Sequence, residues 1–127
     1  MTRDFITDPM FPECPIRNIL SRIGEKWTLL VLLNLAQHEP DGLRFNELGK
    51  LIPDVSQRML TATLRSLEAD GLVHREQFSE IPPRVEYSLT PRAKTLMPLI
   101  NPLVEWSISN YKGIVEDRKK FEAAAQR

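Results

Sequence analysis

The stretch "SQRMLTATLRSLEADGLVHR", Ser56 to Arg75, decides the reading of the chain. At 100° per residue, Met59, Leu60, Thr63, Leu64 and Leu67 fall on one arc of a helix, while Arg58, Thr61, Ala62 and Arg65 fall on the opposite one. Ser56 is a good N-cap, because its hydroxyl accepts from a free backbone N–H in the first turn, although Met59 stands where a capping box wants Glu or Gln. Gly71 ends the helix in the usual C-terminal manner, and the apolar period then changes to that of a strand. The leucines anchor such a cylinder, leaving small residues and two arginines to project outward. That profile fits a major groove, which admits a helix and where a guanidinium donates two hydrogen bonds to guanine. Ser56 and Gln57, at the positive end of the helix dipole, are placed to meet phosphate or base edges. Taken alone, the pattern also suits an amphipathic surface helix with solvated arginines.

Upstream, "IRNILSRIG" carries Ile16, Ile19, Leu20 and Ile23 at helical spacing before Gly24. "EKWTLLVLLNLAQ" is apolar nearly all round, which predicts a short central helix buried on every side. "PDGL" is a turn, "LRF" a short strand, and "FNELGKLI" a two-turn helix with Phe45, Leu48, Leu51 and Ile52 inward, stopped by Pro53. Downstream, "LVHREQF" and "RVEYSL" read as two strands joined by "SEIPP", whose paired prolines stiffen a hairpin tip. Val85, Tyr87 and Leu89 alternate with Arg84, Glu86 and Ser88, predicting one packed and one wet face. Thr90 followed by Pro91 is an N-cap with proline at the first helical position. In the apolar helix that follows, Pro98 and Pro102 remove backbone donors and predict a kink. Leu103, Ile108, Tyr111 and Val115 form a stripe that exceeds what a small monomer needs to cover itself, unless it folds onto its own core.

The order is mainly α with a small β-hairpin: a winged helix-turn-helix flanked by N-terminal and C-terminal helices, which the family resemblance given below implies are dimerisation helices. Residues 1–13 read as an arm, 14–90 as the winged domain and 91–127 as the C-terminal helices. At 127 residues and 42% hydrophobic content the chain suits one compact domain. The N-terminus places acids and prolines where a signal peptide has its apolar core, and no apolar run approaches the about 20 residues of a membrane span. The expectation is a cytoplasmic protein with no membrane partner. Charges balance at 17 basic and 17 acidic, so a polyanionic partner must meet a local patch. In the hairpin tip Arg84 is a candidate for the phosphate backbone or a narrow minor groove, or else a solvated partner of Glu80 or Glu86.

Together "CPIRNILSRIGEKWTLLVLLNL", "RFNEL", "SQRMLTATLRSLEADGLVHR" and "PPRVEYSLTPRAKTL" resemble the HxlR-type transcriptional regulators, winged-helix proteins related to the MarR regulators. The resemblance runs over residues 14–106, its most specific pieces being Gly24-Glu25-Lys26-Trp27-Thr28, Arg58-Met59-Leu60-Thr61 and Pro83 to Thr90. Ala93 departs from a frequent glycine, at the start of the last helix. The resemblance implies a homodimer on a near-palindromic operator of double-stranded DNA, with a recognition helix over 56–70 and a wing around 81–84. It implies dimer contacts from the N-terminal helix, where Ile16 stands, and from the long C-terminal helices. Candidate DNA contacts are thus Ser56, Gln57, Arg58, Thr61, Arg65 and Arg84.

The only cysteine, Cys14, matches a position that in several members looks like a redox or electrophile sensor. Physically, a helix N-terminus and Arg17 lower a thiol pKa while Glu13 opposes them; the alternative is an inert packed thiol. With no second cysteine in the chain, a disulfide joins two subunits or captures a small thiol. An oxidant, electrophile or aromatic effector is accordingly a possible partner, and a small-molecule-responsive regulator without redox sensing is the alternative. His38 and His74 lack metal-ligand spacing, so no metal or cofactor is expected. Trp27 and Trp106 read as packing residues or as the lining of an effector pocket. Two rival classes remain: an enzyme, disfavoured by the absence of a nucleophile motif or Gly-rich phosphate loop, and a winged helix that binds protein.

Overall fold

The computed structural model describes residues 15–126, so Cys14 lies outside the described residues. Two compact units divide at Lys94 and Thr95. The first opens with helix α1, a π-helical stretch (Ile16–Leu20) running into one α-turn (Ser21–Ile23). There follow α2 (Lys26–Gln37), β1 (Leu43–Arg44), α3 (Phe45–Leu51), α4 (Gln57–Ala69), β2 (Val73–Phe78) and β3 (Arg84–Leu89). Helix α5 (Pro91–Ala125) begins in this unit and supplies the second. The architecture is a winged helix-turn-helix, and the wing is a three-stranded antiparallel sheet of order β1-β3-β2. The expected hairpin is therefore widened by the short "LR" strand, whose Leu43 and Arg44 pair with Tyr87 and Glu86. Gly42 makes that approach possible. Its φ is +78°, and an added Cβ would lie 2.8 Å from the Tyr87 carbonyl oxygen.

The core of the first unit gathers Val31, Leu32 and Leu35 of α2, Leu43 of β1, Leu48 of α3 and Ile52 just after it, and Leu60, Leu64 and Leu67 of α4, with Leu72, Val73 and Leu89 from the wing. Fully burying each such side chain contributes about 1.5–3 kcal/mol, so α4 is pinned by its leucine row rather than by intrinsic propensity. Its ends are equally defined. The Met59 backbone N–H donates to Ser56 Oγ at 3.0 Å. At the other end Leu72 N–H donates to Leu67 O at 2.9 Å and Gly71 N–H to Glu68 O at 3.0 Å, with Gly71 at φ +73°. This is a Schellman closure, with buried Leu72 and Leu67 as its apolar partners. Thr90 caps α5 as expected, its Oγ1 accepting from Ala93 N–H at 3.2 Å while donating to Gly71 O at 2.6 Å.

Several expectations need correction. Met59 is 41% exposed, because it stands about 90° from the centre of the leucine arc. It lines a hollow with Ser21, Arg22 and Glu25. Helix α2 is buried along Thr28, Val31, Leu32 and Leu35 only, while Leu29, Leu30 and Leu33 remain half-buried. In α3 and just after it the core meets Leu48 and Ile52, four residues apart. Leu51 is exposed and Phe45 half-buried, since a seven-residue helix offers one row. The strict alternation expected of β3 is blurred: every residue before Leu89 is half-buried, Arg84 and Glu86 included, because the charged side chains fold back over the sheet.

In the second unit the polypeptide remains one helix past both prolines rather than several. Pro98 and Pro102 are exposed, so solvent can reach the carbonyls their missing N–H groups leave unpaired. Met97 and Ile100 are buried. Leu103, Ile108 and Tyr111 are exposed, and Val115 is half-buried. The apolar surface is wider than the expected stripe: Leu99, Trp106, Ile114 and Phe121 are exposed as well, so Trp106 is not a packing residue of the single chain. From Trp106 round to Ile108 the apolar arc is about 200° at 100° per residue, twice what a helix packed on one partner needs.

Candidate nucleic-acid interface

The outward flank of α4 is the surface of interest. Gln57, Arg58, Thr61 and Arg65 are all exposed, as is Ser56 before them. Arg58 and Arg65 are seven residues apart, two turns or about 10.5 Å along the axis, with Thr61 between them on the same side. Neither arginine makes a hydrogen bond or ion pair with any described residue. This contrasts with Arg22, paired with Asp70 at 3.5 Å, and with Arg92, which donates to Asp70 O at 3.3 Å. Free guanidinium groups on an anchored helix can approach an anion or a base edge without first breaking a protein contact.

The flank is bounded on both sides. Thr61 and Arg65 open onto a shallow depression shared with Phe45, Glu68, Arg75 and Tyr87, so that α3, α4 and two wing strands meet there. Gln57 lines the neighbouring hollow with Asn46, Gly49 and Lys50 of α3. The structure thus brings Ser56, Gln57, Arg58, Thr61 and Arg65 onto one surface. It places Arg84 differently. At the start of β3, Arg84 lies over the Phe78 ring at 4.1 Å, with Nε 3.6 Å from Glu80 Oε2 and 3.5 Å from Glu86 Oε1. Its side chain is 27% exposed and Nε has no hydrogen bond among the described residues, so the ion-pair alternative of the sequence describes its resting contacts. Arg75 carried no expectation. Only the strand register, which pairs Arg75 with Tyr87, brings it beside α4, and no local sequence signal encodes that register.

A protein-family model described as HxlR-like helix-turn-helix matches residues 22–114. The chain belongs to that family. The HxlR-like chain is 43% identical over 121 residues to the HTH-type transcriptional regulator YdeP of Bacillus subtilis, across 95% of its own length and 88% of YdeP. It is similar to the redox regulator HypR in its reduced form, with 41% identity and a TM-score of 0.73 over 80% of this chain and 98% of HypR. Against oxidized HypR the values are 44% and 0.69, over 76% and 97%. Diamide-treated YodB from B. subtilis is 28% identical with a TM-score of 0.64, over 77% of this chain and 92% of that one.

The family is one of transcriptional regulators, not of enzymes, and its helix-turn-helix implies DNA binding. No helix among the described residues is long and apolar enough to cross a membrane.

Proposed function

We propose that this HxlR-like regulator is a homodimeric repressor that binds a near-palindromic operator sequence-specifically and answers thiol oxidation or electrophiles through Cys14. The observation that carries the DNA reading is the exposed row Arg58, Thr61 and Arg65, whose arginines pair with no described residue, on a helix anchored by Leu60, Leu64 and Leu67. Arg58 and Arg65 supply bidentate donors to guanine, Thr61 a hydroxyl, and Ser56 and Gln57 meet base edges or the phosphate at the helix start. Arg84 meets the backbone from the wing; its pair with exposed Glu80 holds it weakly, and a phosphate can replace that partner while half-buried Glu86 stays beside it.

Dimerisation is supported by the exposed apolar residues Ile16, Leu103, Ile108 and Tyr111, beside half-buried Val115, which a monomer leaves in water. A two-fold axis sets the two recognition helices about 34 Å apart, one turn of DNA. The redox part is supported by the similarity to HypR and YodB together with a cysteine, Cys14, that precedes the first helix in sequence. Oxidation of two Cys14 thiols by diamide would join the subunits as one disulfide, reducing diamide to the hydrazine with both thiol protons. A shifted dimer then changes the helix spacing, where a small displacement costs many contacts.

Footprinting on the DNA flanking its own coding region identifies the operator. Binding to that duplex is expected to weaken after diamide treatment and to be unaffected in Cys14→Ser. Unchanged affinity of the wild-type protein after diamide would remove the redox reading, and binding insensitive to salt would remove the DNA reading.

A further inference from the structure

We infer that Arg75, on the first wing strand, is a backbone-phosphate contact that fixes how deeply and in what register α4 sits in the groove. The inference rests on the DNA-binding reading above and adds a residue that neither the helix nor the wing tip contains.

Strand β2 starts immediately after the turn that closes α4, with Val73 buried and His74, Arg75, Glu76 and Gln77 exposed. Arg75 is opposite Tyr87 on β3, and Tyr87 is opposite Leu43 on β1, so the three form one row across the sheet. Arg75 and Tyr87 of that row line the depression into which Thr61, Arg65 and Glu68 of α4 also open. Arg75 makes no hydrogen bond or ion pair with any described residue, although Glu68 lines the same hollow. Two guanidinium groups, from Arg65 and Arg75, and a hydroxyl from Thr61 therefore border a concave surface, with one carboxylate beside them.

The chemistry of that hollow is that of a site for a singly charged phosphodiester. Its donors come from two different elements, a helix and a strand, so a phosphate held between them locks the helix relative to the sheet. Arg75 stands on the sheet beside α4 rather than on it, and most contacts that elements flanking a groove-bound helix make go to the sugar-phosphate backbone. Glu68 repels the same phosphate, and Arg75 offsets that repulsion; without Arg75 the hollow retains Arg65 and Glu68, with no net charge.

The test measures affinity of the full-length chain by fluorescence anisotropy between 50 and 200 mM salt, on the footprinted operator and on a scrambled duplex of equal length. Each phosphate neutralised contributes about 0.9 to the slope of log K against log salt. Arg75→Ala is expected to lower the slope by about 0.9 for each recognition helix engaged, with losses on the two duplexes equal within about twofold. Arg75→Lys should recover the slope, and Glu68→Gln should tighten both complexes. An unchanged slope in Arg75→Ala beside a steep wild-type slope overturns this inference and leaves the DNA reading standing. A loss confined to the operator overturns the phosphate assignment. A wild-type protein without salt-dependent duplex binding overturns the DNA reading itself. A thermal melt of each variant separates misfolding from lost contact, and Arg75→Gln, expected to lower the slope as Arg75→Ala does, carries the test if Arg75→Ala fails to fold.

Discussion

Replacing Arg58 by alanine isolates base recognition from everything else the helix does. Arg58 is exposed and makes no hydrogen bond or ion pair with any described residue, so its truncation breaks none of these, and alanine is the better helix former. Stability should therefore stay within about 0.5 kcal/mol of the parent. The binding loss comes from one bidentate contact per subunit, about 1–3 kcal/mol each, or roughly 5- to 150-fold in Kd per half-site. A dimer occupying both half-sites loses the contact twice. Anisotropy titrations at fixed salt, on the operator and on duplexes changed one base pair at a time, should show the loss concentrated at one position of each half-site, where the variant no longer discriminates. An equal loss on every duplex would reassign Arg58 to phosphate, and no loss on any of them would refute the outward flank as the reading surface.

Two further outcomes concern stability and assembly. Gly42→Ala should destabilise the fold more than Gly71→Ala, measured as chemical-denaturation midpoints. Both residues have positive φ, but the new Cβ at 42 meets the fixed Tyr87 carbonyl at 2.8 Å, whereas at 71 it meets the movable end of Arg92 at 2.9 Å. The shared backbone strain is about 1–2 kcal/mol, and the excess at Gly42 measures distortion of the β1–β3 pairing; equal losses would mean that the strand yields freely. Leu103→Glu combined with Tyr111→Glu, two exposed positions, should leave the thermal melt of the single chain little changed and shift sedimentation to the monomer. A persistent dimer would move the interface elsewhere.

Most of this architecture is legible wherever the signal is local. The caps at Ser56 and Thr90, the stop at Gly71 and the leucine row of α4 depend on residues within a turn of one another, and each appears as read. The failures share a different origin. Met59, Leu51 and the lateral leucines of α2 are apolar residues at the edge of a stripe, and their burial depends on which neighbour stands beside them. Hydrophobicity alone does not encode that neighbour. The sheet behaves likewise: "LRF" suggested a strand, but its pairing with Tyr87 and Glu86 joins residues more than forty positions apart. For the same reason no local pattern marks Arg75, whereas helical phase places Arg58 and Arg65 on the exposed flank of α4. Arg84 shows the converse, since its neighbours in sequence, Glu80 and Glu86, were visible as partners from the start and do occupy it.

The turn that follows α4 limits how a signal at the head of the chain would reach the groove under the proposed mechanism. Asp70 accepts from Arg92 through its carbonyl and pairs with Arg22 through its carboxylate, while Gly71 accepts from Thr90. The C-terminal end of α4 is thereby tied both to α1 and to the strand-helix junction after β3, within one compact unit. The Arg22 pair is partly exposed and worth at most about 1 kcal/mol, whereas the leucine row holds α4 through several kilocalories per mole of burial. Under the proposed mechanism, therefore, a displacement of α1 would break the ion pair long before it dragged α4 out of its own core. An oxidised Cys14 must then act by changing the relation between two subunits as bodies, and Arg22→Ala should leave the response to diamide intact while Leu103→Glu with Tyr111→Glu abolishes it.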